Sequence, residues 1–154
     1  MNFTKTALVI TLGLASFAAL AGEIKNTTVD GRYMVNEATA TDSTALQHAG
    51  VAFGSGKIQD SYISAFGAQN YATGLRSTAH QDIGVADAGG TLKNVQVYGV
   101  GAMNWAAGQD SLAVQQIGKA TNGKIQDSYI YGNGSYNYAG GLRSKAEQKI
   151  GVVE

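Results

Sequence analysis

The octet "GKIQDSYI" at Gly56–Ile63 recurs unchanged at Gly123–Ile130, 67 positions later. Chance does not account for a stretch this varied. A duplicated structural unit does, and its period predicts the architecture. Extended outward, Gly56–Val85 and Gly123–Val152 agree at 21 of 30 positions, including "GLRS" at Gly74–Ser77 and Gly141–Ser144. Two weaker copies lie before and between them. Asn36, Asn70, Asn104 and Asn137 stand 34, 34 and 33 residues apart, and each begins the same downstream pattern. The chain beyond residue 21 therefore divides into four repeats, near 24–57, 58–91, 92–124 and 125–154.

The fourth repeat shows the shared pattern best: Ile125, Ser128, Ile130, Gly132, Gly134, Asn137, Ala139, Gly141, Ser144, Ala146, Gln148 and Ile150. The kept positions recur mainly every second residue, which is the strand period. The rhythm breaks after Gly134 and after Gly141, and these breaks predict corners. Each repeat thus reads as three short strand segments joined by glycine-containing bends. Helical repeats of similar length need apolar residues at 3.6 spacing, which is missing. A sandwich needs a larger apolar core. The expected fold is all-β, a β-solenoid in which each repeat forms one coil and like positions stack about 4.8 Å apart.

Stacking explains the polar members of the pattern. A lone buried amide costs about 1–3 kcal/mol if unpaired. In a solenoid, Asn36, Asn70, Asn104 and Asn137 lie one above another, as do Gln47, Gln81, Gln115 and Gln148, and Ser43, Ser77, Ser111 and Ser144. Each amide can donate to one neighbouring copy and accept from the other. The intervening Lys145, Glu147 and Lys149, or Thr78, His80 and Asp82, are expected on the outer face.

The composition agrees. There is no cysteine to staple a small exported domain. Proline is also absent, as suits a backbone paired almost throughout. Acidic and basic residues balance at 11 each, which argues against nucleic acid or an anionic membrane as partner. Lys5, the apolar run Ala7–Leu20 and the small-x-small Ala19-Leu20-Ala21 read as a signal peptide over residues 1–21, leaving a secreted chain that starts at Gly22.

One resemblance is specific. Ser61, Gly67-x-x-Asn70-x-Ala72 and Gln81, and again Ser128, Gly134-x-x-Asn137-x-Ala139 and Gln148, resemble the curlin repeat of bacterial curli fibres. Curlin repeats are shorter, with two strands per coil, and Ala65 or Gly132 stands where they usually carry a glutamine. The longer coil is more similar to the Fap-type functional amyloids. The resemblance implies a subunit that polymerises outside a bacterium into biofilm or adhesive fibres. It also implies candidate partners: a nucleator subunit and outer-membrane secretion machinery.

No catalytic, metal-binding or cofactor-binding constellation is visible. His48 and His80 fall on opposite sides of the repeated glutamine, so they do not share a register and read as separate outer-face residues. Asp60 and Asp127 share a register, as do Asp42 and Asp110. They read as polar corner residues, because the liganding runs of calcium-binding repeats are missing. Tyr71, Trp105 and Tyr138 are expected in one outward column, with Tyr62 and Tyr129 forming another set. The first column is the candidate binding surface for a polysaccharide. The repeats also alternate A, B, A, B. Repeats two and four share 21 of 30 positions, whereas two and three share 11. No cap sequence flanks the coils, so both ends are expected to be open edges. The expected function is a structural fibre subunit that polymerises head to tail with its own copies. The alternative is a monomeric solenoid that holds a glycan on the aromatic column.

Overall fold

The computed structural model describes residues 22–154, and the expected signal segment lies outside the described residues. Every regular element among them is a strand. The first coil holds β1 (Glu23–Lys25), β2 (Thr28–Asp30), β3 (Val35–Ala38) and β4 (Thr44–Ala52). The second holds β5 (Lys57–Gln59), β6 (Tyr62–Phe66), β7 (Gln69–Ala72) and β8 (Thr78–Ala86). The third holds β9 (Thr91–Lys93), β10 (Gln96–Val100), β11 (Met103–Ala107) and β12 (Leu112–Ala120). The fourth holds β13 (Lys124–Gln126), β14 (Tyr129–Tyr131), β15 (Tyr136–Gly140) and β16 (Lys145–Val153).

Corresponding strands of successive coils pair in parallel, giving four sheets of four strands each. The register joins residues one repeat apart. Ile24, Ile58, Leu92 and Ile125 form one row. Asn36, Asn70, Asn104 and Asn137 form another. The chain is a β-solenoid of four turns.

The coil has four strands, not the expected three. The additional corner lies between Ile125 and Ser128, where the kept positions are three apart, and at the matching place in the other coils. It is made without glycine: Asn26, Asp60, Asn94 and Asp127 take φ of 48–52°. Asn and Asp tolerate this left-handed region better than other side chains, so the turn leaves no glycine to mark it. The two glycine-marked corners are found where expected. Gly67, Gly101 and Gly134 turn the second, at φ of 60–61°, and Tyr33 takes that place in the first coil at φ 52°.

The interior has two parts. A wide lobe holds Ile58, Ile63, Ile83, Leu92, Val97 and Ile117, all 0% exposed. A thin lobe lies between the third and fourth strands of each coil. It holds Ala45, Ala72, Ala79, Ala106 and Ala113, whose small side chains let the two sheets approach closely. The change from one lobe to the other occurs within the nine-residue fourth strand. Gly50, Gly84, Gly118 and Gly151 sit there at φ of 62–65° and are skipped in the pairing. Before the glycine, residues alternate inward and outward. After it, Val51 and Ala52, or Val85 and Ala86, are all buried.

Gly50, Gly84 and Gly118 are required twice over, by φ and by space, and Gly151 by φ alone. A Cβ on Gly84 would stand 2.7 Å from Val97 Cγ1, whereas one on Gly54, at φ 73°, meets nothing within 4 Å. Gly84→Ala is expected to cost about 2–4 kcal/mol, from the left-handed backbone and overpacking together. Gly54→Ala should cost about 1–2 kcal/mol, from the backbone alone. Denaturant midpoints of the two variants check the difference.

Candidate functional site

The amides form continuous ladders and also tie sheets together. Asn36 Nδ2 donates to Asn70 Oδ1 at 3.0 Å, Asn70 to Asn104 at 2.8 Å and Asn104 to Asn137 at 2.8 Å. The same nitrogens reach across the thin lobe to carbonyls of the fourth strands. Asn70 Nδ2 contacts Ala45 O and His80 O, and Asn104 Nδ2 contacts Ala79 O and Val114 O. The glutamine ladder runs the other way. Gln81 Nε2 donates to Gln47 Oε1, Gln115 to Gln81 at 2.7 Å and Gln148 to Gln115 at 2.5 Å. Gln115 Nε2 also donates to Ala102 O at 3.1 Å. Asn70, Asn104, Gln81 and Gln115 are wholly buried.

The serines do less than expected. Only Ser43 and Ser77 meet hydroxyl to hydroxyl, at 3.3 Å. Ser111 Oγ donates to Gly74 O, and Ser144 Oγ to Gly108 O and Gly140 O. A hydroxyl at a corner is close to turn carbonyls, and these compete with the neighbouring serine.

A charge ladder runs along the corner before the fourth strand. Asp42, Arg76, Asp110 and Arg143 occupy equivalent places and all take φ of 54–58°. Arg76 is bidentate to Asp42 at 2.5 and 2.6 Å, and Arg143 to Asp110 at 2.6 and 2.7 Å. Asp42 and Asp110 therefore share a register as expected, with an arginine between them that the two-residue rhythm did not reveal. Its sequence signal is the alternation of "DS" and "RS" along the four repeats. The corner between the first and second strands alternates too: Asn94 Nδ2 donates to Asp60 Oδ1 at 2.8 Å. No group of three or more acidic, histidine or cysteine side chains among the described residues is placed to hold a metal ion.

The two histidines are not separate. Asp82, 7% exposed, brings them together. His80 Nε2 is 2.8 Å from Asp82 Oδ1. His48 Nδ1 lies 3.2 Å from Oδ2, but without hydrogen-bond alignment. His48 is the cross-strand partner of Asp82, and His80 stands two residues before it on the same face. Same-face neighbours can share a partner without sharing a row. Burial pushes the Asp82 carboxyl up, but the two imidazoles outweigh burial and hold it below its ordinary value. The hydrogen bond to Asp82 raises His80 above its own, against burial and the opposing charge of Lys119.

The aromatic column is broken. Tyr71, Trp105 and Tyr138 share a row, but Glu37 stands in it in the first coil. Tyr71 turns aside, its hydroxyl on Gln69 and on Met103 Sδ. Trp105 packs on Tyr138 with centroids 4.3 Å apart, and Tyr136 lies beside both. The ring contacts of this row are thus confined to coils three and four. On the second strands, Tyr98 bridges Tyr62 and Tyr129 at 5.3 and 5.7 Å, and the pattern had not included it.

The fourth coil carries its interior side chains to the end of the stack. Gln148 is exposed and Ile150 is 39% exposed, while Ile83 and Ile117 in the same row are 0% exposed. Among the described residues, no strand pairs with the outer edges of the first and fourth coils.

Gln81→Leu removes the acceptor of Gln115 and the donor of Gln47 from a buried row, so it should cost about 2–4 kcal/mol. Lys145→Ala, at an exposed site, should stay within about 0.5 kcal/mol. Urea unfolding of both variants tests the inside–outside assignment.

The His80–Asp82 pair gives a pH dependence with a worked sign. The raised His80 contributes fully below its unfolded value of 6.5 and loses that contribution as pH rises through its folded value. The lowered Asp82 contributes above 3.8 and loses it as pH falls through its folded value. The thermal midpoint should therefore rise as pH is lowered from about 8 to 5.5. His80→Gln should flatten this part of the profile. No family model, curated protein or solved structure matches this chain.

Proposed function

We propose that this protein is the structural subunit of an extracellular amyloid-like fibre, exported by a bacterium and polymerising by coil stacking. The observation that carries the reading is the fourth coil. It presents a half-exposed Ile150, an exposed Gln148 and a strand edge with no partner among the described residues, the surface that the inner coils cover with one another. A row of free backbone groups in register with an amide ladder is a template for another coil. The curlin-like spacing of Ser, Gly, Asn, Ala and Gln supports the same reading. On this reading a second copy is the main partner, with a nucleator and export machinery as accessory ones.

A second reading keeps the chain monomeric and uses the outer aromatics to hold a glycan. The cluster of half-buried Trp105 with exposed Tyr136 and Tyr138 favours it, since flat aromatic faces suit sugar rings. The interruption at Glu37 and the turned Tyr71 limit that surface to half the stack.

The chain from Gly22 onward, which contains all four coils, should form unbranched fibres without a template, with a meridional reflection near 4.8 Å. Electron microscopy and fibre diffraction test this. A solution still monomeric by light scattering after days at high micromolar concentration would sink the fibre reading and leave the glycan-binding one.

A further inference from the structure

We infer that the junction between copies is keyed by charge, with Arg143 of one copy set against Asp42 of the next, so that the chains add in one polarity only. This deepens the fibre reading and rests on it. Within the chain, neighbours in the corner row are opposite in charge at every step, and two of the three steps close an ion pair. Asp42 meets Arg76 and Asp110 meets Arg143 through bidentate pairs. The step from Arg76 to Asp110 is held by the backbone bond from Arg76 N to Gln109 O at 2.8 Å. A fifth coil laid on the fourth in the same register places Asp42 where that series requires an acid.

Three other rows agree on this junction. The asparagine ladder donates forward, so Asn137 Nδ2 would donate to Asn36 Oδ1 of the next copy. The glutamine ladder donates backward, so Gln47 Nε2 of the next copy would donate to Gln148 Oε1. At the corner between the first and second strands, Asn26 would face Asp127 as Asn94 faces Asp60. The reversed arrangement, fourth coil on fourth coil, runs the facing strands antiparallel and loses the row-on-row register that sets each acid beside an arginine and each amide donor beside an acceptor.

The backbone argues that the charges are kept for a reason. All four members of the row hold the left-handed conformation, which glycine adopts freely and a side-chain-bearing residue does not. The ion pairs are also exposed, with Asp42 at 60% and Arg143 at 77%, so within one chain each contributes little. In a fibre the same contact recurs at every junction and decides which end a chain can join.

The test is a charge swap on the chain from Gly22 onward. Asp42→Arg leaves arginine on both end coils, and Arg143→Asp leaves aspartate on both. Turning one attraction into a repulsion at about 5 Å in water should slow seeded elongation of either single variant by about tenfold. The double variant Asp42→Arg/Arg143→Asp restores opposite charges at the junction while keeping both mismatches inside the chain. It should elongate within about threefold of wild type, although its internal ladder is worse than that of either single variant. An equimolar mixture of the single variants should recover as well, as an alternating copolymer. Molar salt, by screening exposed charges, should shrink the differences. Fibres from the wild type with single variants equally fast, or a double variant slower than both, would overturn the keyed junction alone. A wild-type chain that never assembles would overturn the fibre reading and the key together.

Discussion

Each interior amide of this molecule depends on its own counterpart one coil away, together with a carbonyl of the facing sheet. The apolar lining of the thin lobe between the third and fourth strands is alanine. Its amides are tolerable because each meets another amide at strand spacing and a carbonyl of the facing sheet. The dependence is mutual. No coil can bury its asparagine and glutamine alone, so the repeat is stable only as a stack. The same dependence leaves the last coil with an exposed glutamine and a half-exposed isoleucine.

Stacking identical coils carries an electrostatic cost, because equal charges would recur at every strand spacing. The alternation of two repeat types removes that cost. Asp42, Arg76, Asp110 and Arg143 alternate in charge, with ion pairs from Asp42 to Arg76 and from Asp110 to Arg143, and Asn94 lends a donor to Asp60 where two carboxylates would repel. On the outer face of the fourth strands, Lys145, Glu147 and Lys149 lie beside Leu112, Val114 and Gln116. Lys145 and Lys149 both pair with Glu147 and hold its carboxyl down at about 2. Uniform repeats suit the amide interior, and alternating repeats suit the charged exterior. The duplicated octet follows from the second requirement, since it belongs to one of two coil types.

The amino-acid sequence by itself determined the period, the inward rows, the amide ladders and the glycine-marked corners. These follow from a rule that acts one residue at a time: a two-residue rhythm puts like side chains on one face, and a fixed period puts like residues in one row. The tertiary structure alone decided the corner at Asn26, Asp60, Asn94 and Asp127, because asparagine and aspartate can take a left-handed turn or sit in a strand. It decided that the serines bond corner carbonyls, because hydroxyls choose between acceptors that only the folded corner brings together. It joined His48 and His80 through Asp82, and it broke the aromatic column at Tyr71. Those outcomes depend on distances between adjacent rows and on the direction in which a side chain leans, and neither is a property of spacing along the chain.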